Sequence, residues 1–91
     1  MIYHTGRRYG LCEEEQSLIY WKCRNYFRLP ERERKIIAKI IEDCADGVPE
    51  ALFEMLTTRK NITAVSMRHH ISESALQSRC AKFYREAARR L

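Results

Sequence analysis

Apolar residues recur with helical spacing along most of this chain, and the pattern divides it into five stretches. The first runs from about Glu13 to Phe27. Ile19, Cys23 and Phe27 repeat every fourth position there, flanked by Tyr20, Trp21 and Tyr26. Glu13, Glu14 and Glu15 occupy the first turn and Arg24 and Arg28 lie near the end, the polarity that complements a helix dipole. An aromatic cluster on a helix, rather than on a sheet that stacks bases, is expected to be core.

Leu29-Pro30 breaks that pattern and starts a second helix, with Glu31 and Glu33 behind the proline. Ile37, Ile40, Ile41 and Cys44 form its apolar stripe, and Gly47 closes it where a left-handed residue is easily accommodated. Pro49 opens a third helix to about Thr58, with Leu52, Met55 and Leu56 on one face. A polar connector through Asn61 follows. Asn61 or Thr63 is placed to cap a fourth helix through His70, and Ser72 to cap a fifth that reaches the last residues.

At 100° per residue, Leu76, Cys80, Phe83, Ala87 and Leu91 of the fifth helix lie within about 80° of one another. That stripe must pack inward. The opposite side carries Ser74, Ser78, Ala81, Lys82, Arg85 and Arg89, with Gln77 at its margin and Arg79 turned toward the core stripe. Small polar groups come first and basic ones later. This is the order of a recognition helix, whose first residues reach base edges while later ones diverge toward phosphates. Before it, Val65 points inward, Ser66 is small at the expected crossing and Ile71 plugs the turn. Together they have the spacing of a helix-turn-helix over residues 61–91. His70 stands at the turn position where Gly is commonest, and it tolerates positive φ better than most residues. His69 stands where an apolar residue is usual.

Charge sharpens this picture. Residues 1–58 hold nine Lys/Arg against ten Asp/Glu, a net of −1; residues 59–91 hold eight against two, a net of +6. The whole excess of the +5 chain therefore falls on the last third, the footprint of a phosphate-binding surface. Residues 1–10, with Gly6, Arg7, Arg8 and Gly10, show no periodicity and are expected to form a flexible arm. Residues 11–91 are expected to form one all-α domain of about five helices.

The four cysteines, at 12, 23, 44 and 80, form no CxxC pair and meet no His cluster. All but Cys12 sit at apolar phases, as reduced core thiols of a cytoplasmic protein would. Met1 to Gly10 lacks the apolar segment of a signal peptide, and no stretch is long enough to span a membrane. His4, His69 and His70 have no nucleophile or acid in a recognisable catalytic motif. Adjacent His69 and His70 face different directions on a helix, so they cannot make an HExxH-type zinc pair. No metal, cofactor or enzymatic activity is expected.

The stretch Leu29-Pro-Glu-Arg-Glu-Arg-Lys-Ile-Ile37 resembles the start of bacterial sigma factor region 4, where an LPERER-like helix leads into the DNA-binding helices. Ile71-Ser-Glu-Ser-Ala-Leu76, with the basic residues and Ala-Arg-Arg-Leu91 beyond it, is similar to the reading helix of that region and to small phage regulators of the ArpU and RinA type. Here the helix from Pro49 to Thr58 intervenes between the two. The resemblance spans roughly residues 29–91 and implies a sigma-region-4-like DNA-binding protein from a phage or mobile element.

The expected function is sequence-specific binding of double-stranded DNA as a transcriptional regulator. Ser74, Gln77, Ser78 and Lys82 are the candidates for base edges. Arg79, Arg85 and Arg89 are candidates for phosphates, and Arg59, Lys60 and Arg68 for the backbone beside the groove. Glu73 at the helix start is read as a complement to the dipole rather than as an acceptor for cytosine. Two protein partners stay open: a second copy, through the aromatic first helix, and RNA polymerase, through the second. Two other readings remain beside this one. One is a phage packaging or replication accessory protein using the same helices on DNA. The other is a helical interaction module whose basic helix meets an acidic partner.

Overall fold

A computed structural model describes residues 13–58 and 60–91; the N-terminal arm, His4, Cys12 and Arg59 lie outside the described residues. Five helices follow in order: α1 (Glu13–Arg24), α2 (Glu31–Cys44), α3 (Pro49–Thr57), α4 (Ile62–His69) and α5 (Glu73–Arg90). A 3-10 turn, Tyr26–Arg28, lies between α1 and α2. No strand occurs among the described residues, and the all-α reading holds.

The main core lies where α1, α2, α3 and α5 meet. Ile19 and Cys23 come from α1, Ile37, Ile40, Ile41 and Cys44 from α2, Leu52 and Leu56 from α3, and Cys80, Phe83 and Ala87 from α5. A smaller core joins α3, α4 and α5 through Ala51, Val65 and Leu76, with Ile62 and Ile71 packed beside it. The long α5 thus spans both. Its first turn is seated on α3 and α4 by Leu76, and its later turns on α1 and α2 by Phe83 and Ala87. Each large side chain taken fully from water contributes about 1.5–3 kcal/mol, so α5 is fixed along most of its length.

Cys23, Cys44 and Cys80 are buried and none is in a disulfide. Burial pushes the Cys23 thiol up to about 12, which leaves it protonated and unreactive at neutral pH.

The first helix departs from expectation. It stops at Arg24 rather than continuing to Phe27. The Asn25 side-chain amide donates to the Trp21 carbonyl at 2.8 Å, bonding the same oxygen that its backbone N–H reaches at 3.0 Å. Leu29, held extended ahead of Pro30, bounds the segment on the other side. The chain between them tightens into a 3-10 turn, and the four-residue repeat loses its phase. Phe27 is therefore 74% exposed, and on α1 itself Leu18 and Trp21 are 56% and 55% exposed. Ile19 and Cys23 are core; the aromatic cluster is largely surface. Tyr26, Phe27 and Phe53 instead gather edge to face, with ring centroids 5.0–6.1 Å apart.

Candidate nucleic-acid interface

The segment from Asn61 onward is organised by local capping. The Asn61 side chain accepts from the Ala64 N–H at 2.8 Å and starts α4, so Asn61 and not Thr63 is the cap. α4 ends at His69. His70 is left-handed, with φ 55° and ψ 43°, and the Ile71 N–H returns to the Ser66 carbonyl at 3.0 Å. Two residues later the Ser72 hydroxyl accepts from the Ala75 N–H at 3.1 Å and starts α5. Three residues, His70, Ile71 and Ser72, make the whole connection. Ser66 is buried at the contact, with its hydroxyl donated to the Thr63 carbonyl. Glu73 accepts from the Thr63 hydroxyl at 3.0 Å, a link between the starts of the two helices beyond its dipole role.

On α5, Ser74, Gln77, Ser78, Lys82, Arg85 and Arg89 are all exposed, and Leu76, Cys80, Phe83 and Ala87 are buried. The two faces separate along 18 residues. Arg85 has no hydrogen-bond or ion-pair partner among the described residues. Lys82 stands 4.0 Å from the Asp46 carboxylate, and Arg89 pairs with Glu86 at 2.8 Å one turn before it.

Besides Arg89, three of the expected phosphate or backbone contacts are engaged within the molecule. Arg79 is partly buried. Its Nε–H donates to the Ala45 carbonyl at 2.9 Å and its Nη1 to the Ala75 carbonyl at 3.0 Å. A cation there complements the C-terminal end of α2 and ties α5 to it, so Arg79 belongs to the fold rather than to the exposed row. Lys60 and Arg68 converge on the single carboxylate of Glu54, at 2.6 Å and 3.4 Å, and His69 Nε2 lies 2.7 Å from its other oxygen. Hydrogen bonds from Lys60 and His69, with the charge of Arg68 nearby, hold the Glu54 carboxyl down at about 2. Arg90, not among the expected contacts, donates to Asp43 at 2.8 Å and bridges Glu86.

Acids from the first 58 residues are thus folded against the basic last third, and its positive surface is smaller than the sequence count suggests. Lys60, Arg68 and Arg90 are themselves 37–64% exposed, so these cations can still be reached by a stronger anion; Arg79, bonded to two carbonyls, is not among them. No helix of the described residues is long and apolar enough to cross a membrane, and no cluster of His, Cys, Asp or Glu among them is arranged to hold a metal ion. The chain matches no family model, no curated protein and no solved structure.

Proposed function

We propose that this chain binds double-stranded DNA sequence-specifically, as a transcriptional regulator of the sigma-region-4-like kind found in phages and mobile elements, with α4, the turn and α5 as its helix-turn-helix. The observation that supports this best is the exposed row of α5. Ser74, Gln77 and Ser78 stand in its first turns, and Lys82, Arg85 and Arg89 farther along. A helix inserted by its N-terminal end would bring the small polar groups to base edges and the cations to the flanking phosphates. The rigid seat that Leu76 makes on Val65 and Ala51 supports the same reading, because a recognition helix must be held at a fixed angle to its neighbour.

The test is selection from a randomised duplex-DNA pool, sequenced after binding at low and at moderate salt. An enriched motif establishes sequence reading, and a palindromic one a dimer on the DNA. Arg85→Ala and Lys82→Ala are each expected to weaken binding about tenfold and to lower the salt slope by about one, with no change in thermal melting. Gln77→Ala is expected to change the preferred sequence more than the affinity. Binding that collapses with salt and enriches nothing would reject the proposal and leave the basic helix as a docking face for an acidic protein.

A further inference from the structure

A groove of about 560 Å³ lies between α2, α3 and the end of α4. Its apolar surface comes from Tyr26, Ala38, Ile41 and Phe53. Phe27, 74% exposed, stands edge-on to both Tyr26 and Phe53 and extends that surface outward. None of the lining belongs to α5, so the groove is separate from the exposed row assigned to DNA.

Its charge is the reverse of that of the molecule. Glu42 on α2 and Glu50 at the start of α3 both line the groove, both are exposed, and neither has a partner among the described residues. Most of the other acids near the basic third are engaged: Glu54 by Lys60, Arg68 and His69, and Asp43 and Glu86 by Arg90. In a chain of net charge +5, two unpaired carboxylates beside an open aromatic surface stand out.

We propose that this groove is a protein-docking site, and that it takes an amphipathic helix whose apolar row is flanked by Lys or Arg. The helical form of the ligand is part of the proposal. An extended peptide gains affinity by adding its backbone to a sheet edge, and there is no strand among the described residues to offer one. A helix satisfies its own backbone and asks only for an apolar trough and matched charges. The basic flank lies over Glu42 and Glu50, whose carboxylates are unpaired among the described residues, while Arg68 is held by Glu54. A chain that reads DNA with one face and holds a basic helix on another would recruit that partner to the site. The groove itself does not depend on the DNA reading.

The experiment uses the full chain and two labelled synthetic peptides of roughly 18 residues, long enough to be helical when bound. Both carry the same Leu/Phe row; one is flanked by Lys and its twin by Glu. Fluorescence anisotropy is expected to show the Lys peptide binding at about 10 μM and the Glu twin at least tenfold more weakly. This preference opposes the overall charge of the protein, so non-specific attraction cannot produce it. Reversing the two acids in E42K/E50K is expected to invert the preference between the twins. Phe27→Ala is expected to weaken the Lys peptide severalfold without lowering the melting temperature. Failure of the Lys peptide to bind, a wild-type preference for the Glu twin, or a preference that survives E42K/E50K would each overturn the proposal. A concentration-dependent dimer that Phe27→Ala dissolves would overturn it too, by assigning the groove to a second copy. Apart from Arg68, which lines the groove and is also a candidate backbone contact, the two surfaces share no residue, so either experiment can fail while the other stands.

Discussion

The helices α1 and α5 carry similar apolar repeats and have opposite outcomes. On α5 the inward stripe of Leu76, Cys80, Phe83 and Ala87 is buried and the polar row is outside. On α1 only Ile19 and Cys23 of the expected stripe are buried, while Leu18 and Trp21 stand more than half exposed. The difference lies in what surrounds each helix. α5 packs on α1, α2, α3 and α4, so its inner face is enclosed from several directions. α1 packs mainly on α3 and α5, and Leu18 and Trp21 on its outer face stay more than half exposed. An apolar repeat predicts a buried face only where neighbours arrive on that side. The bulky residues left over on α1 and the turn after it are surface whose role must be sought in partners.

The strongest test of this contrast is a pair of truncations. Phe83→Ala opens a cavity in the main core and is expected to cost about 3–5 kcal/mol. In a domain of this size that is most of the stability, so the variant should be largely unfolded at room temperature by circular dichroism. Trp21→Ala removes a larger side chain from a half-exposed site and should change stability by no more than about 0.5 kcal/mol in urea titration. A cost for Trp21→Ala near that of Phe83→Ala would mean that the outer face of α1 is covered in solution, and the contrast would disappear.

The next effect separates what was legible in the sequence from what was not. The local devices of the C-terminal third could be read directly. Ser72 caps α5 and His70 takes the left-handed turn, each through atoms within a few positions along the chain, and Ile71 plugs the junction against the small core. The stripes of α2 and α5 were equally legible, because their helices run unbroken over three or more turns. Arg79 is different. Its angle on α5 already leaned toward the core, but its partner, the Ala45 carbonyl, is 34 residues away. Arg90 and Asp43 are 47 apart, and Glu54 gathers Lys60, Arg68 and His69 from 6, 14 and 15 positions on. Such contacts depend on how helices approach, which no local pattern encodes. Phe27 failed for a nearer reason, since Asn25 and Pro30 change the backbone phase between Cys23 and the next turn.

If Arg79 is structural, Arg79→Met, which keeps the apolar stem, should cost about 1–2 kcal/mol through the lost charged hydrogen bonds. The lower end is expected, because Ala45 still accepts from the Val48 N–H at 3.1 Å. DNA affinity should be unchanged at temperatures where the variant is folded. A variant of undiminished stability that binds DNA weakly would return Arg79 to the phosphate-contacting row.

The smallest expected effect concerns Glu54, where the acidic first part of the chain meets the basic last part. Its carboxyl is held at about 2 in the folded chain against an ordinary 4.5, chiefly by the Lys60 and His69 hydrogen bonds. A carboxyl depressed on folding contributes stability above its unfolded value and loses it as the pH falls through the folded one. The Glu54 contribution is thus complete above about pH 4.5 and disappears toward pH 2. Melting temperatures of wild type and Glu54→Gln should differ by a few degrees near neutrality and converge over that interval; a gap independent of pH would show that Glu54 acts by shape and not by charge. The same variant separates the two roles of the cations around it. Freed from Glu54, Lys60 and Arg68 would be available to phosphates, so Glu54→Gln should bind DNA with a steeper salt dependence even as it melts earlier. A merely damaged fold would lose affinity along with stability, so opposite signs for the two readouts would mark Glu54 as the restraint that limits how much positive surface the last third presents.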